Sequence, residues 1–186
     1  MKPKKEYLIL IGIIAILLVF LLISGRKNKM SYSVPDLESI NLDEITKIEI
    51  SKSGDTIVLT GKEDKWTILP QEYPADSDKL SNMLDVIGNL TLTELAAEKK
   101  DYERYELDEG KKIRIRALKG EEAVREFDIG KVSSTYRHTF VKVGKDSRVY
   151  HARGSFRSTF DFDRPELRDK SVMAFDKNAV TEVRIS

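Results

Sequence analysis

The sequence predicts an α+β fold: antiparallel β-sheets in two β-rich halves with one main amphipathic helix, preceded by an N-terminal transmembrane helix. Three observations predict it. From Tyr7 to Ile23 all 17 residues are apolar or glycine (YLILIGIIAILLVFLLI). Two later stretches alternate apolar and polar residues with period 2, and between them apolar residues recur at spacings of three and four.

Seventeen residues at a helical rise of about 1.5 Å cover ~25 Å, the short end of what spans a bilayer core. No charge interrupts the stretch. Tyr7, Leu8, Ile14, Leu18, Phe20 and Ile23 are the expected lipid-facing anchor. A cleaved signal peptide is the rival reading. It usually has a shorter apolar core, about 7–15 residues, ending in a small-x-small site. Here Ser24-Gly25 follows Leu22-Ile23, so an uncleaved anchor is expected. Lys2, Lys4 and Lys5 precede the span and Arg26, Lys27 and Lys29 follow it, so flanking charge hardly sets a direction. The short N-terminus and the large following domain favour an N-terminus inside and the domain outside. The expected organisation is a cytoplasmic N-terminus (1–6), an anchor (7–24), a linker (25–39) and one extracytoplasmic domain (40–186) in the cytoplasmic membrane.

Charge and composition narrow the function classes. The whole chain carries +1, but the domain from Ser31 onward holds 26 basic against 30 acidic residues. Phosphate neutralisation drives nucleic-acid binding, so an acidic domain argues against that partner. With no cysteine, thiol catalysis, disulfides, iron–sulfur sites and thiolate zinc sites are excluded. Mean hydropathy is -0.38, as expected for a globular domain behind a single span.

Within the domain, Ile45, Ile48 and Ile50, then Ile57 to Leu59, then Trp66 and Ile68 mark three strands of a meander with turns at Gly54-Asp55 and Asp64-Lys65. Pro70 to Pro74 ends it. Asp76 or Ser77 then caps a helix whose stripe is Leu80, Met83, Leu84, Ile87 and Leu90. A second run of strands follows as IRIRAL, EAVREFDIG, HTFVKVG and RVYHA, with turns at Lys119-Gly120, Gly130-Lys131 and Gly144-Lys145-Asp146. FRSTFDF is expected to form a short helix, and AVTEVRIS a last strand. The ending FDKNAVTEVRIS (175–186) resembles INLDEITKIEIS (40–51). That likeness fits either a strand completing the sheet or one unit of a repeat.

Candidate chemistry is sparse. No phosphate-binding glycine loop, GxSxG elbow or HExxH motif is present. A two-residue turn at Gly144-Lys145 puts His138 opposite His151, where they could share a metal, although surface histidines on a hairpin are the simpler reading. No metal or other cofactor is expected. Asp161 and Asp163, between Phe160 and Phe162, could form a carboxylate pair if desolvated; outward-facing aspartates are the simpler reading. Glu98 to Arg104 reads as solvated loop charge. The densest charged stretch, RPELRDK, offers Arg164, Glu166, Arg168, Asp169 and Lys170 as a partner surface or as a loop with internal ion pairs. Trp66, Tyr73 and Tyr136 are further candidate anchors for an interface, with Trp66 more readily placed in the core.

In order and spacing, Trp66-Thr67-Ile68, Pro74-Ala75-Asp76, Tyr105-Glu106-Leu107, Ile129-Gly130, Val149-Tyr150, Leu167-Arg168-Asp169-Lys170 and Phe175-Asp176 resemble the DUF4340 domain family across 40–186. Where that family usually has Tyr-Gly-Leu this chain has Tyr105-Glu106-Leu107, so a turn suited to glycine is expected to differ. The resemblance implies a membrane-anchored extracytoplasmic domain associated with ABC-2-type export permeases and gliding-motility-type components, with no activity attached. The functional expectation is a non-enzymatic accessory or interaction domain of an ABC-type export or envelope complex, with lipid and a permease as partners. The alternatives are a tethered ligand- or envelope-polymer-binding module using a groove between the two halves, and, less favoured, a carboxylate-dependent hydrolase.

Overall fold

The computed structural model describes residues 13–19, 34–62, 65–98 and 101–171. The chain divides into two units, Met1–Ser33 and Val34–Ser186. In the first, residues 13–19 are helical (α1), and Ile13, Ile14, Ile16, Leu17, Leu18 and Val19 are each about half exposed or more. Among the described residues no helix is long and apolar enough to cross a membrane. Of the expected anchor, Ile14 and Leu18 fall within α1, while Tyr7, Leu8, Phe20 and Ile23 lie outside the described residues.

The second unit is built on antiparallel strands. β1 (Lys47–Lys52), β2 (Asp55–Lys62) and β3 (Lys65–Ile68) form the expected meander, extended by the two-residue β4 (Tyr73–Pro74). The β1–β2 turn is tight because Ser53 and Gly54 both take positive φ, 50° and 87°, matching the right-handed twist of the flanking strands. Helix α2 (Ser77–Gly88) follows. The Asp76 carboxylate accepts hydrogen bonds from the Asp78 and Lys79 backbone N–H groups, as its position in the sequence predicts. Leu80, Met83 and Ile87 are buried against the sheet. Then come β5 (Leu92–Ala97), the single turn α3 (Tyr102–Tyr105), β6 (Ile113–Lys119), β7 (Glu122–Val132), β8 (His138–Val143) and β9 (Val149–Arg153).

The two runs of strands do not make two halves. They form one nine-stranded sheet, ordered β4-β3-β2-β1-β6-β7-β8-β9-β5. The join is β1 against β6, with Ile50 opposite Ile115 and Ile48 opposite Ala117. Had each run stayed separate, β1 and β6 would both present an unpaired edge; pairing satisfies both and aligns their apolar faces. β5 was not legible as a strand. LTELAA lacks clean alternation, and it reaches the far edge only by pairing with β9, with register shifts along its length.

Alternation gives the sheet two distinct faces. The inner face carries Ile48, Ile50, Leu59, Ile115, Phe127, Ile129, Val141 and Tyr150, all within 2 % exposure, under α2. Val34, Leu37 and Ile40 also pack against this core. After β9 the expected short helix appears as the 3-10 turn Arg157–Thr159, and Phe160 packs edge-on to Phe127. The expected last strand, AVTEVRIS, lies outside the described residues.

Part of the outer face is covered by α3 and the loop to β6, where Tyr105, Leu107 and Val149 form a small second core. Glu106 ends α3 in the left-handed region (φ 56°, ψ 38°), and its N–H bonds back to the carbonyls of Glu103 and Tyr102. The turn is therefore kept without the usual glycine, at a cost of about 1–2 kcal/mol for an L side chain. Glu106→Gly removes that strain but adds unfolded-state freedom of roughly 0.5–1 kcal/mol. The expected net result is a rise in melting temperature of about 2 °C, measured by calorimetry on the full chain.

Candidate functional site

The outer face, both beside α3 and at its margin, is where chemistry-bearing side chains collect. Across its centre runs a row of charges contributed by alternate residues of β1, β6, β7 and β8. The Arg116 guanidinium donates to Glu49 at 2.8 Å and lies 3.6 Å from Glu126. Arg114 donates to Asp128 at 2.8 Å. Asp128 is only 3 % exposed, and Lys112 and Lys142 each place an ammonium 3.5 Å from it. Burial alone would raise the Asp128 pKa. The Arg114 hydrogen bonds and the fields of both lysines outweigh burial and hold the carboxyl below its ordinary value. Lys112 is itself buried, so the group is a three-cation clasp on one carboxylate, with Glu109 bonded to Lys112 from the rim. The clasp opens to a cavity of about 510 Å³ rimmed by Asp101, Tyr102, Glu103 and Asp108.

Beside the clasp lies an aromatic row. Tyr105 and Phe140 have ring centres 4.7 Å apart, Phe140 and His151 4.6 Å, and His151 and His138 5.4 Å. A shallow cavity of about 350 Å³ borders this row, with Arg104, Lys131 and Ser134 on its rim. Burial, then the neighbouring His138, lower the His151 pKa against the opposing pull of Glu94.

The histidines do meet, though not through the expected register. The hairpin loop is longer than two residues, so His138 faces Arg153 and Phe140 faces His151. The loop is fixed by Asp146. Its carboxylate accepts from the Arg148 backbone and guanidinium and, at 2.7 Å, from the Tyr150 hydroxyl. These bonds hold Asp146 well below the usual carboxylate range, while burial and Asp146 push Tyr150 up to about 12. The two rings therefore meet diagonally. Among the described residues no group of three His, Cys, Asp or Glu side chains is arranged to hold a metal ion.

The other sequence candidates, Tyr136 apart, lie toward the β1–β4 side of the sheet. Asp161 and Asp163 both bind the Lys52 ammonium, at 2.9 and 3.4 Å, and their side chains are 43 % and 77 % exposed. They come together, but without the burial that acid–base work requires. Asp163 and Glu166 form a capping box around the 3-10 turn Arg164–Glu166. Arg164 donates to Asp55 and to the Thr56 carbonyl. Leu167 is buried, its carbonyl accepts from the Asp76 N–H, and the Asp169 N–H donates to the Pro74 carbonyl. Arg168 lies over the Tyr73 ring at 3.6 Å, Asp169 bonds Ser171, and Lys170 is exposed. Much of RPELRDK thus ties down the sheet edge. Trp66 is half-buried, its indole over Gly61, at one wall of a cleft of about 740 Å³ with Leu42, Leu80 and Leu84. Tyr136 is 75 % exposed in the β7–β8 turn. With a single sheet, no groove between halves exists among the described residues; the clefts lie beside α2 and on the outer face.

Sequence reasoning missed Lys112, Arg114, Asp128 and Lys142. The signal available was one charge inside the apolar run EFDIG; finding its partners requires the cross-strand register. Residues 68–186 match the family model described as a domain of unknown function (DUF4340). A search of curated proteins and a search of solved structures each returned no match. The match covers well over half of the chain and takes in α2, all of β5 to β9 and the clasp, and on that ground the chain belongs to the DUF4340 family.

Proposed function

We propose that this protein is a membrane-anchored, non-catalytic interaction domain, an accessory part of an ABC-type export or envelope complex, held by residues 7–24 with the domain on the extracytoplasmic side. The observation that carries the reading is the asymmetry of the sheet. One face is sealed by α2, while the other presents half-exposed, pre-paired charges on a rigid nine-stranded platform. Charges already held in pairs keep their geometry on docking and give register and selectivity to a partner. The apolar side chains exposed along α1 support the anchor, since a helix that is apolar all round requires an apolar surrounding.

Photo-crosslinking from intact membranes tests the docking face. A reactive residue at Arg116 or Glu126 should capture one multispanning permease-class protein, and one at Ser81 or Asp85 on α2 should not. Equal capture from both faces, or none from the outer face, overturns the reading. The anchor has a separate check: the chain should stay in the pellet after alkaline carbonate washing, and protease added outside the membrane should digest the domain.

The aromatic row favours a second reading, a tethered module for an envelope polymer. In that case polymer fragments added to the full chain should raise its melting temperature, and Phe140→Ala should abolish the rise.

A further inference from the structure

The two histidines are the only ones in the chain, and the fold brings them together from strands that a five-residue loop connects. We propose that His138 and His151 form a two-histidine site for a late first-row divalent cation, Cu²⁺ or Zn²⁺, on the outer face of the sheet. This is independent of the partner-docking reading, which uses the neighbouring charge row.

The argument is geometric. The ring centres are 5.4 Å apart and the ring planes meet at 62°. With metal–nitrogen bonds of about 2.0–2.1 Å, two imidazoles at a roughly tetrahedral angle have ring centres about 5 Å apart. The observed separation is therefore close to the one a shared metal requires, and the pairing of β8 with β9 sets it. Packing supports the placement: the Phe140 ring lies against His151 at 4.6 Å and limits its rotation.

Completion of the shell comes from water and from Glu94, the register neighbour of His151 on β5. Glu94 is exposed, and among the described residues no three such side chains are already arranged around a metal position, so in this proposal Glu94 has to turn toward the rings on binding. Two cations stand nearby. Arg153 faces His138 across the ladder but is exposed and free to extend into solvent, and Lys131 lies at the rim of the adjoining cavity. Their charge works against a bound cation. Imidazole donors select Cu²⁺ and Zn²⁺ over Mg²⁺ and Ca²⁺, which take oxygen ligands.

The test uses the full chain in detergent and CuCl₂ or ZnCl₂ alone as the probe. Wild type should bind one Cu²⁺ per chain whose electron paramagnetic resonance spectrum shows coupling to imidazole nitrogen. His138→Asn and His151→Asn should each weaken that binding at least tenfold, the double variant at least as much as the weaker-binding single, and Glu94→Gln severalfold. CaCl₂ should give no change. The double variant also subtracts any Cu²⁺ held at the chain's N-terminal amine. Should a histidine variant fold poorly by circular dichroism, the imidazole proton resonances of wild type titrated with ZnCl₂ decide the matter: both rings must shift together at one stoichiometry. Cu²⁺ binding of undiminished affinity and stoichiometry in the folded double variant, or a shift of one ring alone, overturns the proposal.

Discussion

Gly130→Ala is expected to lower the stability of the domain by about 3 kcal/mol, at the upper end of what overpacking a tight site costs. A methyl group there would sit inside the contact radius of the Tyr105 carbonyl oxygen and 2.9 Å from Leu107 Cγ. The first neighbour is backbone, so no side-chain rotation relieves it. β7 and the α3 loop would have to part, and the loop is the cheaper of the two to move. The substitution should therefore show a local signature as well as a global one. Hydrogen exchange should accelerate first across residues 101–112, and the Tyr105–Phe140 ring contact should be lost before the sheet opens. Gly144→Ala serves as a control. Gly144 takes φ 51° with nothing within 4 Å of a built Cβ, so only the backbone cost of about 1–2 kcal/mol applies and residues 101–112 should stay protected.

Asp128→Ala should cost a similar amount, about 3 kcal/mol, because removing one partner of a buried pair leaves uncompensated charge behind. Lys112 bears most of that cost: its side chain is 8 % exposed and keeps only Glu109 at the rim. Arg114 and Lys142 are less confined and can turn toward solvent, which keeps the estimate at the low end of the usual range. Urea denaturation should show a lower midpoint with an unchanged slope. The pH dependence follows from the same clasp. A carboxyl whose folded pKa is depressed contributes stability that is present above its unfolded value, near 4, and is lost as pH falls through the folded value. Wild-type stability should hold down to about pH 5 and drop below about pH 4, and Asp128→Ala should flatten that drop. An unaltered acid limb in the variant would show that Asp128 does not carry it.

A third substitution separates what a stability measurement and a docking measurement report. Arg116→Ala, at a half-exposed position with two acidic neighbours, should change stability by less than about 1 kcal/mol. It should still weaken capture of the permease-class partner if the outer face is the docking surface. Loss of capture without loss of stability is the combination expected of an interface residue.

The sequence by itself determined the elements whose signals are local. Period-2 alternation marked β1, β2, β3 and β6 to β9, because one covered face requires it. The 3-4 spacing from Leu80 to Ile87 and the Asp76 cap defined α2, while Leu90, expected on the same stripe, falls past its end at Gly88. The order of short motifs was enough to indicate the family that the model match shows. The tertiary structure alone decided what depends on register. It joined β1 to β6 and so merged two runs of strands into one sheet; it recruited the weakly patterned β5 as an edge. It also set a hairpin loop through Asp146 that brings His138 and His151 together diagonally instead of face to face. The Asp128 clasp is the clearest case. Its members stand at positions 112, 114, 128 and 142, and nothing in the spacing of four charges along a chain announces that three strands will place them around one buried carboxylate. Alternation assigns each residue to a face, but which residues meet across that face is fixed by pairings far apart in sequence, settled only when the whole sheet closes over its core.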